Sequence, residues 1–90
     1  MRLLYTAWFQ EPSLPQDDQD FEWPACFHID GATEDSIQGW GDQLSRAYAN
    51  RNGQLFLRST AEEVPAPASE QDRLPLVVEG QLATDDHIGW

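Results

Sequence analysis

The chain has 90 residues, of which 16 are acidic and five are arginine, with no lysine, and its formal net charge at pH 7 is −11. This charge excludes unaided binding to nucleic acid or to an anionic membrane, because both require positive charge to displace counterions. The length is that of one domain with one modest core, so we predict a single domain over residues 1–90. A single cysteine excludes an intrachain disulfide, and with an N-terminal segment unlike a signal peptide it predicts a cytoplasmic protein.

Two strands are predicted in the first third of the chain. The segment from Arg2 to Phe9 is largely apolar at both alternating sets of positions, which indicates a central strand or one covered on both faces. The segment from Trp23 to Asp30 is the second strand. Its two faces carry Ala25, Phe27 and Ile29 on one side and Cys26 and His28 on the other.

Between these strands, residues 10–22 form an acidic loop, because its two prolines prevent regular hydrogen bonding in a β-ladder. The loop has no basic residue and carries the five carboxylates of Glu11, Asp17, Asp18, Asp20 and Glu22. A loop of this length is either a solvated connector or a functional segment.

Residues 33–50 are predicted to form the helix on which the rest of the domain packs. Its apolar positions follow the spacing of one helical stripe. They are Ile37, Trp40, Leu44, Ala47 and Tyr48. Polar residues, including Ser45, are assigned to the other faces.

Both ends of this helix have capping signals. Thr33 is a predicted N-cap, because its hydroxyl can accept a hydrogen bond from the first turn. Gly53 is one of the residues able to form a left-handed C-terminal cap. Gly39 and Gly41 each cost about 1 kcal/mol inside a helix, so we expect close approach to another element at both.

Two further strands are predicted after the helix, at residues 54–60 and 74–79. Pro75 places the last strand at an edge of the sheet. In the third strand, one face is predicted to carry Leu55, Leu57 and Ser59, and the other Gln54, Phe56 and Arg58. The remaining segments are a second acidic loop, residues 61–73, and a C-terminal tail, residues 81–90. We expect the tail to dock on the domain or, through Trp90, to be a ligand for a peptide-binding groove.

The order β-β-α-β-β predicts an α+β fold, a four-stranded mostly antiparallel or mixed sheet with one amphipathic helix packed on one face. In one topology, the second strand, helix and third strand form a right-handed crossover with parallel strands. In the other, the sheet is an antiparallel meander with the helix across one face. The uncovered face would carry Leu4, Trp8, Cys26 and His28, a patch suited to a partner or a second copy.

Residue types that bind metals or catalyse reactions are present, but their spacing matches no known site. His28, His87, Cys26, Asp85 and Asp86 fit no zinc or calcium pattern, and no serine lies in a nucleophile elbow. Cys26 is expected to be an inert small side chain, and His28 to face solvent or a partner. We therefore expect no catalytic residue, no metal site and no cofactor.

The first acidic loop is the best candidate for function. Carboxylates on a rigid scaffold complement a basic surface, as in the immunity proteins of bacterial toxins, and neighbouring aromatic residues anchor the contact. The predicted partner-binding residues are Trp8, Asp17, Asp18, Asp20, Phe21, Glu22 and Trp23. We expect a small acidic protein that inhibits or regulates a basic partner protein. The alternative is a structural domain that forms a homodimer through the uncovered sheet face.

Overall fold

The computed structural model describes residues 1–63, 74 and 76–80. The elements are β1 (Arg2–Gln10), β2 (Glu22–Asp30), α1 (Glu34–Asn52), β3 (Leu55–Glu63) and β4 (Leu76–Val78). This β-β-α-β-β order confirms the predicted α+β class. Residues 61–63 belong to β3 rather than to the second acidic loop; the rest of that loop, residues 64–73, and the predicted tail, residues 81–90, lie outside the described residues. Among the residues described, no helix has the length and apolarity needed to cross a bilayer.

The four strands form one mixed sheet in the spatial order β3-β1-β2-β4. Strand β1 is antiparallel to both β2 and β3, whereas β4 is parallel to β2. The predicted antiparallel meander is therefore wrong. Strands β2 and β3 point the same way with β1 between them, so the connection through α1 crosses over one strand. Among the described residues β1 is a central strand and β4 an edge strand, as predicted.

One face of the sheet, here called the core face, is covered by α1. Strand β1 contributes four side chains that are at most 1% exposed, namely Leu3, Tyr5, Ala7 and Phe9. Phe27 and Ile29 of β2 and Val77 of β4 extend this layer, and Ile37 and Ala49 of α1 close it. Burial of this apolar surface is the main source of stability. The opposite side of the sheet is called the outer face.

The buried stripe of α1 is rotated from the predicted one. Its fully buried residues recur every fourth position and are Ile37, Gly41, Ser45 and Ala49. Trp40, Leu44 and Tyr48 flank this stripe and are half-buried, whereas Ala47 is exposed. The predictions for Ala47 and Ser45 are therefore wrong. Small residues along the contact bring the helix backbone close to the sheet, and the large side chains then pack on either side.

The predicted caps of α1 are both confirmed. The Thr33 hydroxyl accepts a hydrogen bond from the Ser36 backbone N–H at 3.1 Å, and the Ser36 hydroxyl accepts one from the Thr33 N–H at 3.2 Å. This reciprocal pair is a capping box. Gly53 ends the helix in the left-handed conformation, with φ of 72°.

The two glycines inside α1 differ in their surroundings. A Cβ atom at Gly41 would lie 2.5 Å from the ring of Tyr5, so the expected close approach is confirmed there. At Gly39, nothing lies within 4 Å of the position that a Cβ would take, and the expectation is wrong.

Strand β3 contains a β-bulge at Leu57, the residue that the register between β1 and β3 skips. The extra residue reverses the alternation of side chains along the strand. Phe56 and Ser59 therefore share the core face and Arg58 lies on the outer face, whereas the predicted alternation placed Phe56 with Arg58.

Candidate functional site

The first acidic loop, residues 11–21, is an ordered connection built from tight turns. It is closed by a hydrogen bond from the Glu11 N–H to the Phe21 carbonyl at 2.8 Å. Three further backbone bonds run from Leu14 to Glu11, from Asp18 to Pro15 and from Phe21 to Asp18. The Asp18 carboxylate accepts a bond from the Asp20 N–H at 2.8 Å, which is an Asx turn. The loop therefore has one defined conformation at the end of the β1–β2 hairpin.

Glu11 fixes the base of the loop and is not presented to a partner. One carboxylate oxygen accepts from the Ser13 hydroxyl at 2.8 Å, and the other accepts from the Gln54 amide at 3.1 Å. These hydrogen bonds, led by that of Ser13, lower the pKa of Glu11 below its ordinary value. The bond to Gln54 also ties the loop to the start of β3.

The other carboxylates of the loop region fall into two groups. Glu22 is paired with Arg58 at 3.1 Å, and Asp18 is used in the turn. The side chains of Asp17 and Asp20 are exposed and accept no hydrogen bond from the described residues. Asp17 and Asp20 are therefore the carboxylates of the loop that are free to contact a partner directly.

The two tryptophans predicted as anchors lie on opposite faces of the sheet. Trp23 is on the core face, where its ring stacks on Phe9 with a centroid separation of 4.8 Å. Trp8 is on the outer face, beneath the Arg58 guanidinium at 4.9 Å. Phe21, at the base of the loop, is half-buried. The structure therefore does not gather the predicted residues into one patch.

The Arg58 side chain joins two of the predicted residues on the outer face. It lies over the Trp8 ring and also pairs with Glu22. Both charged groups are about half exposed, with side-chain fractions of 56% and 45%, so the ion pair itself adds little stability. Sequence reasoning missed this contact because the bulge at Leu57 decides on which face Arg58 lies.

The outer face has no covering element among the described residues, and its exposed apolar side chains are spread over two corners. Leu55 is 51% exposed at one end of β3, while Leu76 and Val78 are 45% and 40% exposed on β4. Cys26 is exposed near the middle of the face. The prediction for His28 is wrong, because it is only 3% exposed, flanked in the register by Leu4 and Leu76.

A polar network that the sequence pattern did not reveal lies between α1 and the sheet. One oxygen of the Asp42 carboxylate accepts hydrogen bonds from the Tyr5 hydroxyl at 2.6 Å, the Ser59 hydroxyl at 2.6 Å and the Gln38 amide at 3.3 Å. Gln38 also donates to Ser59, and the Tyr5 hydroxyl lies 3.3 Å from that of Ser45. Burial, reinforced by the bond to Asp42, raises the pKa of Tyr5 above its ordinary value. The network gives the Tyr5 hydroxyl hydrogen-bond partners in the core and fixes the position of the helix on the sheet.

A cleft of about 320 Å³ lies between the C-terminal half of α1 and the start of β3. It is lined by Arg46, Ala49, Asn50, Gln54, Leu55 and Phe56. The Arg46 guanidinium lies 4.9 Å from the centre of the Phe56 ring. This lining offers hydrogen bonds and stacking but has no nucleophile and no acid–base pair. Within residues 1–63, 74 and 76–80, no three His, Cys, Asp or Glu side chains are grouped as metal ligands.

Comparisons with known proteins match this chain to no protein family, no curated protein and no solved structure.

Proposed function

We propose that this chain is a protein-binding module that docks on a basic partner protein through the tip of its first acidic loop and thereby inhibits or regulates that partner. The observation that supports the proposal is that the acidic residues within 11–22 have different roles. Glu11 and Asp18 hold the loop in shape, Glu22 is paired with Arg58 on the outer face, and Asp17 and Asp20 stay exposed.

A preformed loop lowers the entropic cost of binding, because its backbone is ordered before the partner arrives. The four backbone hydrogen bonds and the Glu11–Gln54 contact supply this order. A net charge of −11 adds long-range attraction toward a basic surface and raises the rate of encounter. Phe21, which is half-buried at the base of the loop, supplies apolar contact area for the partner, whereas Trp8 lies on the outer face beneath Arg58. Trp23 supports the scaffold from the core face.

The proposed compartment is the cytoplasm, where the basic partner would be met. The chain has a single cysteine and no possible intrachain disulfide, which is typical of proteins in a reducing compartment.

The experiment is quantitative capture of partners from host lysate by three immobilised forms of the chain. The test variant is Asp17→Asn with Asp20→Asn, which keeps Asp18 and therefore the turn. The control variant is Glu34→Gln with Asp35→Asn, which changes the net charge equally but at the start of α1, the length of β2 away from the loop. Circular dichroism confirms that both variants are folded.

We expect a basic protein to be retained at equal stoichiometry by the wild-type chain and by the control variant. Its retention by the loop variant should fall by roughly tenfold, which corresponds to about 1.4 kcal/mol. High salt should release it from all three forms, because the attraction is screened. Equal retention by the loop and control variants would contradict the proposal.

Self-association through the outer face, the predicted alternative, has weaker support. Its exposed apolar side chains lie at separate corners, Leu55 at one end and Leu76 with Val78 at the other. The Trp8–Arg58–Glu22 contact, which lies near the loop end of the same face, is charged and solvated.

A further inference from the structure

Strand β3 lies at an edge of the sheet, and most of its length is regular enough to pair with a strand of another molecule. Within the described residues β1 is its one strand neighbour. An edge strand offers a row of unpaired backbone N–H and C=O groups to another chain. Bulges, prolines and inward charges normally protect such edges. The bulge of β3 is at Leu57, and its one charge on the core face is Glu63, the last residue of the strand. The segment Arg58–Glu62 is therefore in an unbroken register, without proline and without an inward charge.

The sequence of this segment is complementary to itself when two copies run antiparallel. A two-fold axis through Thr60 places Arg58 of each copy opposite Glu62 of the other. It also places Thr60 opposite Thr60. All three side chains are exposed on the outer face of β3. Opposite-charge pairs and threonine pairs are both favourable directly across antiparallel strands.

Neighbouring registers lack this complementarity. An axis through Ser59 would place Arg58 opposite Thr60, and an axis through Ala61 would place Glu62 opposite Thr60, so neither register forms an opposite-charge pair. An axis through Arg58 would place two arginines opposite each other, and an axis through Glu62 would do the same with two glutamates. Like charges directly opposite destabilise a strand pair. The charge pattern therefore selects the register centred on Thr60.

We propose that two copies of this chain pair through their β3 strands, antiparallel and centred on Thr60, to form one continuous eight-stranded sheet. The surface is distinct from the acidic loop, so the pairing does not depend on the function proposed above. Leu55 lies next to Gln10 at the loop end of β3, and the antiparallel arrangement sends the two loops to opposite ends. They are then separated by about 30 Å, several times the Debye length of about 8 Å, so their mutual repulsion is screened.

The first test is disulfide trapping in a Cys26→Ser background. Thr60→Cys places a thiol on the symmetry axis, opposite its own copy, at a separation that a disulfide can span. Leu55→Cys is the control, because it is also exposed and lies on the same strand but far from the axis. We expect Thr60→Cys to form covalent dimer at least tenfold faster than Leu55→Cys. Equal rates would overturn the proposal.

The second test is a charge exchange measured by sedimentation equilibrium. Arg58→Glu and Glu62→Arg each place like charges opposite each other, so each should raise the dimer dissociation constant by about tenfold. The two changes together restore opposite pairs and should return it to near the wild-type value. Thermal unfolding of each variant checks that the fold is retained.

The single variants also separate this register from a simple effect of net charge. Arg58→Glu makes the chain more acidic and Glu62→Arg makes it less acidic, so net repulsion alone would move their dimerisation in opposite directions. The register requires both to weaken it. A Glu62→Arg variant that dimerises more strongly would overturn the proposal, as would a wild-type chain that stays monomeric at about 1 mM.

Discussion

Gly41 is the residue at which α1 comes closest to the sheet. A Cβ atom there would lie 2.5 Å from one atom of the Tyr5 ring and 2.8 Å from two others. The ring cannot easily move away, because its hydroxyl is held by Asp42. We expect Gly41→Ala to lower the free energy of unfolding by about 1–2 kcal/mol, since overpacking outweighs the gain in helix propensity.

Gly39→Ala is the matched control for this substitution. It lies in the same helix with open space around the new methyl group. It should raise the free energy of unfolding by about 0.5–1 kcal/mol through helix propensity alone. Urea denaturation of the two variants measures both values. Equal stabilisation by both changes would show that the contact at Gly41 is not tight.

Tyr5 makes the stability depend on pH in the alkaline range. Burial raises its pKa above the ordinary value of 10.0, and the bond to Asp42 adds to the effect. The unfolded chain therefore loses this proton at lower pH than the folded chain. The stabilisation is complete below pH 10 and is lost as the pH rises beyond it.

Tyr5→Phe isolates this contribution, because all other titratable groups are the same in both proteins. Near neutral pH the variant should be less stable by about 1–2 kcal/mol, since Asp42 loses a hydrogen-bond donor. Between about pH 10 and 11 the wild-type protein should lose up to about 1.4 kcal/mol per pH unit relative to the variant. Urea denaturation of both proteins at pH 8 to 11 measures this difference. If the stability of the wild-type protein and that of the variant changed in parallel with pH, Tyr5 would not be the source of the alkaline dependence.

At the scale of elements, the short strand β4 depends on the start of α1. Three residues are too few for a strand to be stable alone. Glu79, just after β4, accepts hydrogen bonds from the Ser36 hydroxyl at 3.0 Å and from the Ala32 N–H at 3.2 Å. Its own N–H donates to the Asp30 carbonyl at 2.8 Å. The carboxylate also lies at the positive end of the helix dipole.

Glu79→Ala should therefore release β4 from the sheet edge. We expect the amide protons of residues 76–78 to exchange at least tenfold faster, while those of β1 change little. Glu79→Gln keeps an accepting oxygen and should preserve most of the protection. Hydrogen exchange followed by NMR gives the residue-level values. Unchanged protection in the alanine variant would mean that β-pairing with β2 is sufficient on its own.

Local patterns predicted the elements, but not how they face one another. Alternating and helical periodicities located every strand and the helix to within three residues. The rotation of α1 was not predicted, because Gly41 and Ser45 are buried on account of their small side chains. Neither residue is hydrophobic, so a hydrophobic pattern does not mark their positions as buried. The bulge at Leu57 and the spatial order of strands arise from pairing between distant segments, which a single sequence does not display.

The candidate site shows the same limit. Its acidic composition was visible in the sequence, and the loop was placed correctly. Which carboxylates are free was not visible, because Gln54, one partner of Glu11, and Arg58, the partner of Glu22, both lie far along the chain. The separation of Trp8 from Trp23 follows from strand alternation once the register of β1 and β2 is known.

At the scale of the whole molecule, the distribution of charge links the fold to the proposed function. The loop stands at one end of the β1–β2 hairpin and the first turn of α1, with Glu34 and Asp35, follows the other end. Acidic groups at the docking end should control how fast the partner associates, and those at the far end should contribute mainly to net charge.

The most direct measurement is the association rate constant of the captured partner as a function of ionic strength, from about 20 to 300 mM salt. It compares the wild-type chain, the Asp17→Asn, Asp20→Asn variant and the Glu34→Gln, Asp35→Asn variant. Docking through the loop predicts a slower rate and a shallower salt dependence for the loop variant alone, because its charges lie nearest the partner. Identical rates and slopes for the two variants would contradict the account, since only the net charge would then matter.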